Sequence, residues 1–108
     1  MLTIDFIHKK NIVHRDLKLE NVLVNNVENE DLNIKIADFG MASFLPENDR
    51  ENIKFFCGTP GYMAPEVFHG FGYREKVDIF SAGCIMFNLV TGNELFSGND
   101  ANMILYLN

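Results

Sequence analysis

Asp16, Lys18 and Asn21 are the residues to which chemistry is assigned first, because all three fall within the octapeptide His14-Arg15-Asp16-Leu17-Lys18-Leu19-Glu20-Asn21. A carboxylate at Asp16 can orient an attacking hydroxyl and accept its proton. Lys18 can neutralise charge on a transferring phosphoryl group, and Asn21 offers an amide oxygen to a magnesium ion. Phosphoryl transfer asks for those three groups together. The competing reading is a solvated, charged turn between two strands.

Such a loop has to be held by its neighbours. Ile12-Val13 precedes it and Val22-Leu23-Val24 follows, both β-prone runs. Residues 25–31 are polar and turn-forming, and Ile34-Lys35-Ile36 alternates as a strand does, so a β-hairpin with a solvated loop is predicted. Asp38-Phe39-Gly40 comes directly after the second strand and places a carboxylate at a strand end; taken alone, that triplet is more often a turn than a metal site. Residues 46–52 have loop composition with an acidic excess, and Pro60, Gly61 and Pro65 make the following segment stiff and non-helical. From Asp78 to Val90 the chain is apolar nearly all round before Thr91-Gly92, which predicts a helix that ends there and is buried on every side. A further helix is predicted near Asp100, with Met103, Ile104 and Leu107 on a partial apolar face. Residues 1–11 are too short a window for periodicity to separate helix from strand.

The set of motifs, in order, resembles a eukaryotic-type protein kinase of the Ser/Thr group. His14-Arg15-Asp16-Leu17-Lys18 with Asn21, then Asp38-Phe39-Gly40, then Ala64-Pro65-Glu66 are the residues that carry the likeness, and it runs through essentially the whole chain. Residues 57–66 look closest to the calmodulin-dependent and related groups. The resemblance implies an α+β, protein-kinase-like fold, mainly helical with a small β-hairpin near the catalytic loop. It also makes residues 1–11 the end of a helix. The expected activity is transfer of the ATP γ-phosphoryl to a protein Ser/Thr hydroxyl, with ATP and Mg2+ required. Asp16, Lys18 and Thr59 are then the catalytic set, Asn21 and Asp38 the magnesium ligands, and Leu23 the residue that packs under the adenine ring. Without the resemblance Leu23 would read as a core leucine. Phe39 is expected beside His14, and Asp78 is expected to accept hydrogen bonds from the His14-Arg15 backbone. Lys18 favours Ser/Thr over Tyr specificity.

Several positions depart from the family or stand outside it. Phe55 occupies the place two before Cys57 where the family often has a phosphorylatable Thr or Ser, so Arg15 is expected to find an acidic partner among Glu47, Asp49 and Glu51, or to stay in solvent. Phe80 stands where Trp is usual. The glycine-rich loop and strand lysine of the family are not in the sequence, nor is the downstream arginine that pairs with Glu66. The expectation is therefore a partial domain over 1–108, a large-lobe fragment lacking the N-terminal lobe and the last helices, inactive and marginally folded by itself. A pseudokinase-like regulatory or protein-binding module, and a truncated gene product, are the rival readings; retention of Asp16, Asn21 and Asp38 weighs against the first. His8 and His69 read as surface or loop histidines, His14 as structural, and Gly70-Phe71-Gly72 lacks the third glycine of a phosphate cradle.

Composition sets the outer bounds. The chain has 108 residues, 47% hydrophobic and 22% charged, enough for one modest core. A net charge of −6 argues against nucleic acid and anionic membranes as partners; a protein substrate and ATP are what the resemblance implies. The longest apolar stretch falls short of a membrane span. Cys57 and Cys84 have no metal-ligand spacing and read as reduced thiols, which with no signal pattern favours an intracellular, cytoplasmic setting, the nucleus remaining open.

Overall fold

A computed structural model describes residues 2–28, 31–48, 52–98 and 100–107. Helix α1 (Leu2–His8) opens the chain. Its Ile4 and Ile7, one turn apart, face inward, while an Asp5–Lys9 ion pair at 2.6 Å braces the solvent side. Asn11 adopts a left-handed conformation (φ 57°) and its N–H closes on the His8 carbonyl at 2.8 Å, so the helix stops there.

Strand β1 (Ile12–Val13) leads to the polar loop, and a 3-10 turn at Leu19–Asn21 delivers the chain into β2 (Val22–Glu28). β2 pairs antiparallel with β3 (Asp31–Ile36), Val22 opposite Ile36 and Glu28 opposite Asp31. The hairpin is longer than the sequence suggests: most of the stretch expected as a solvated loop is paired strand, with a register shift between Val24 and Asn26. Backbone pairing there overrides the turn preference of the asparagines. A second small sheet, absent from the sequence reading, joins β1 to β4 (Ser43–Phe44), with Ile12 opposite Phe44 and Val13 opposite Ser43. Phe39–Met41 forms a 3-10 turn between the two sheets.

The second half is helical. Pro65 sits at the first position of the short α2 (Pro65–Phe68), where its missing N–H costs nothing. Helix α3 (Lys76–Thr91) ends as expected on left-handed Gly92, whose N–H reaches the Asn88 carbonyl at 2.8 Å. Helix α4 (Ala101–Leu107) is capped by Asp100, whose Oδ1 accepts the Met103 N–H at 2.9 Å.

Two apolar clusters form the core. One joins Val13, Ile53, Met63, Ala64, Val67, Tyr73 and Val77; the other joins Ile4, Leu17 and Ile85, with Val22, Ile36, Tyr62 and Ala82 against it. α3 supplies both, but it is not buried on every side. Val77, Asp78, Ser81, Cys84 and Ile85 make one buried stripe, whereas Met86, Leu89 and Val90 are 60%, 63% and 80% exposed. The reason is thickness: the molecule measures 45 × 37 × 19 Å, about two helix diameters in its thin dimension, so the described elements pack on one side of α3 only.

Candidate active site

Asp78, in the first turn of α3, organises the polar loop from beneath. Its side chain is fully buried and its two oxygens take three donors: the His14 N–H at 2.8 Å, the Arg15 N–H at 2.9 Å and His8 Nε2 at 2.8 Å. Two successive backbone N–H groups converge on one carboxylate because Arg15 is left-handed (φ 69°). That conformation costs about 1–3 kcal/mol for a residue with a side chain, and charge-assisted hydrogen bonds to a buried carboxylate offset it. The bonds expected from Asp78 to the loop are therefore present. His8 is a correction: it is not a surface histidine, since its side chain is 13% exposed and pairs with Asp78 across 70 positions of sequence. The spacing of Ile4, Ile7 and His8 on one face of α1 was the signal that places it inward.

His14 fixes the loop from the other side. Its Nε2–H donates to the Ala37 carbonyl at 3.0 Å, and its Nδ1 accepts the Asp16 N–H at 3.3 Å. A carbonyl only accepts and a backbone N–H only donates, so the partners select the neutral Nε2–H tautomer. The Phe39 ring meets the imidazole edge-on with centroids 4.8 Å apart, as anticipated, although Phe39 keeps a face in solvent.

With the backbone of residues 14–16 held, three functional groups meet. The Thr59 hydroxyl donates to Asp16 Oδ1 at 2.6 Å, Lys18 Nζ lies 3.4 Å from Asp16 Oδ2, and the same ammonium donates to Thr59 Oγ1 at 3.2 Å. Asp16, Lys18 and Thr59 thus form a closed triangle. A carboxylate with one oxygen on a hydroxyl and the other near an ammonium has a fixed orientation and keeps acceptor capacity for an incoming proton.

Asn21 is buried and donates its amide nitrogen to the Asp16 carbonyl at 2.9 Å. Its Oδ1 takes no hydrogen bond among the described residues. The Ala37 N–H bonds the Asn21 carbonyl at 2.9 Å, which sets Asp38, the next residue, at the same end of the hairpin. Asp38 is exposed, left-handed (φ 57°), and among the described residues its Oδ1 accepts the Gly40 N–H at 3.2 Å. One carboxylate and one amide oxygen are the hard donors that magnesium takes alongside phosphate oxygens and water. No cluster of three or more His, Cys, Asp or Glu suited to a metal occurs among the described residues. Leu23 lies opposite Lys35 on the hairpin and is half exposed, so it is not a core leucine.

Among the described residues Arg15 meets no acidic side chain. Its Nε donates to the Met41 carbonyl at 2.5 Å, a terminal nitrogen lies 3.5 Å from the Tyr73 hydroxyl, and its Cζ sits 5.5 Å from the Phe55 ring centroid. Of the three candidate acids, Asp49 and Glu51 lie outside the described residues, and Glu47 makes no ion pair with it. Burial, with the neighbouring Cys57 thiol, pushes the Tyr73 phenol up to about 12. A cleft of about 470 Å³ is lined by Leu19 and Glu20, which follow Lys18 in the chain, together with Tyr62, Asn88 and Glu94. Burial, then the Glu20 carboxylate, raises the Tyr62 phenol above its ordinary value. Among the described residues no helix is long and apolar enough to cross a membrane.

The profile of the protein kinase domain family matches residues 1–108. The chain is 42% identical over 108 residues to "Probable serine/threonine-protein kinase 2" of Plasmodium falciparum, covering all of this chain and 20% of that protein. It is 43% identical over 99 residues to the serine/threonine-protein kinase zyg-8 of Caenorhabditis elegans (92% of this chain, 12% of the relative). It is also 43% identical over 96 residues to the serine/threonine-protein kinase PLK1 of Xenopus tropicalis (89% and 15%). The chain therefore spans a fifth or less of the length of these relatives.

Proposed function

Because the chain belongs to the protein kinase domain family, among eukaryotic-type Ser/Thr kinases, we propose that it carries the phosphoryl-transfer centre of a serine/threonine protein kinase. On this reading it corresponds to part of the large lobe and acts on ATP and a protein hydroxyl. The observation that carries the proposal is the triangle of Asp16, Lys18 and Thr59, with Asn21 and Asp38 at the adjoining hairpin end.

Asp16 orients the substrate hydroxyl and accepts its proton as the oxygen attacks phosphorus. Thr59 holds Asp16 Oδ1, so the carboxylate presents one rotamer, and Lys18 places positive charge where charge accumulates on the transferring group. Asn21 Oδ1 and the Asp38 carboxylate are the oxygens that would hold magnesium, which when bound would neutralise phosphate charge. Leu23, half exposed on the hairpin, would pack under the adenine. Glu20 and Glu94 make the neighbouring cleft favourable to a cationic side chain of a protein substrate. The free, buried thiols of Cys57 and Cys84 fit an intracellular setting.

The test is Asp16→Asn in the full-length protein. Peptide phosphorylation should fall by about 10²- to 10⁴-fold, the usual worth of a proton acceptor, while magnesium-ATP binding persists. Near-wild-type turnover by that variant would exclude Asp16 as the proton acceptor, whereas a wild-type protein that transfers no phosphate would favour a non-catalytic, protein-binding module.

A further inference from the structure

Arg15 directly precedes the proposed proton acceptor in the chain, and its guanidinium faces no anion among the described residues. What it does face is Phe55, and Phe55 holds it in two ways. The ring lies against the guanidinium, with Cζ 5.5 Å from its centroid. The Phe55 carbonyl accepts the Tyr73 hydroxyl at 2.5 Å, which commits the phenol hydrogen and leaves the phenol oxygen to face the Arg15 terminal nitrogen at 3.5 Å. Met41 O takes Nε. The cation is thus bounded by a carbonyl, a phenol oxygen and an aromatic face, each of which complements positive charge without carrying a negative one.

We infer that Phe55 is a positioning residue: its ring is the neutral counterpart of Arg15, tying the segment around residue 55 to the loop of residues 14–18 through an aromatic face. Arg15 is left-handed and its peptide bond carries Asp16, so a side chain that cannot swing also resists rotation of the backbone that aims the Asp16 carboxylate. A guanidinium is weakly hydrated and planar, and it stacks on a ring with little desolvation cost, which a partly exposed site allows; Phe55 is 62% exposed. The effect on rate rests on the kinase reading above; the contact itself does not.

The experiment uses the full-length protein labelled with 15N-arginine. The Arg15 Nε–Hε resonance, assigned by its loss in Arg15→Lys, should be displaced by the ring current of Phe55. It should move to an ordinary position in Phe55→Leu and stay displaced in Phe55→Trp. In parallel, kcat for peptide phosphorylation should drop about two- to fivefold in Phe55→Leu and recover in Phe55→Trp, the loss expected of one exposed cation–π contact. Prior phosphatase treatment should alter neither readout. An Arg15 resonance indifferent to Phe55→Leu overturns the inference, as does collapse of both resonance and kcat on phosphatase treatment, which would reveal an anionic partner. A wild-type protein that transfers no phosphate while its Arg15 resonance follows Phe55 sustains the tie and overturns the kinase reading instead.

Discussion

Asp78 and His14 lie 64 positions apart, and Asp78 Oδ2 accepts the His14 backbone N–H at 2.8 Å. The same carboxylate holds the Arg15 N–H and His8, so one buried side chain in the first turn of α3 sets where the polar loop runs. Asp78→Ala strips three donors of their acceptor in a place without room for bulk water. The expected cost is about 3–5 kcal/mol, read as a lower urea midpoint at unchanged slope.

Thr59 touches Asp16 and Lys18 through a single hydroxyl. Thr59→Val keeps the shape and removes that oxygen. Hydrogen bonds to charged groups are worth about 1.5–3 kcal/mol, so kcat should fall about tenfold or more with the melting temperature little changed. Thr59→Ser should restore most of it. Steady-state kinetics on a Ser-containing peptide check both variants.

Gly58 has φ 125°, and a Cβ there would stand 3.1 Å from the Arg15 carbonyl oxygen. Gly58→Ala combines backbone strain with pressure on the loop that carries Asp16. Destabilisation of about 1–3 kcal/mol is expected, measured by thermal melting. Gly70→Ala, at positive φ but with nothing within 4 Å, isolates the strain from the crowding.

Tyr73 gives a pH dependence. Its phenol keeps its proton in the folded state to about 12, whereas in the unfolded chain it ionises near 10. Between those values the unfolded state binds fewer protons, so stability is complete below about pH 10 and falls as pH rises toward 12, by roughly 2 kcal/mol at most. Urea melts from pH 9 upward should show that slope, and Tyr73→Phe should remove it while lowering stability at neutral pH through the lost bond to the Phe55 carbonyl.

The sequence pointed to Asp16, Lys18, Asn21, Asp38 and Thr59 because fixed order and spacing of polar residues survive in one dimension. The structure brings the first two together with Thr59 and sets Asp38 beside Asn21 through the Ala37 N–H. His8 was not legible as a partner of Asp78, since nothing local to either residue reports a contact 70 positions away. The length of β2 and β3 was hidden for a different reason: asparagines read as turn, and the cross-strand pairing that overrides them is not a property of either strand alone. Arg15 shows a third limit: charge alone suggested an acidic partner, and nothing in the sequence pointed to the Phe55 ring that lies against its guanidinium. The apolar run of α3 gave its existence and its end at Gly92, but the number of faces covered depends on how many elements reach it.

Val77 and Ile85 belong to different apolar clusters and sit about two turns apart on the same helix. α3 is therefore the one described helix whose unfolding dissolves both clusters at once, and its central amides should exchange with deuterium only when the whole fold opens. The β2–β3 hairpin rests on a single cluster, through Val22 and Ile36, so its amides should exchange through a smaller and more frequent opening. Two exchange classes would follow, divided along the helix that carries Asp78, and the polar loop would share the slower class because its backbone is bonded to that helix and not to the hairpin tip.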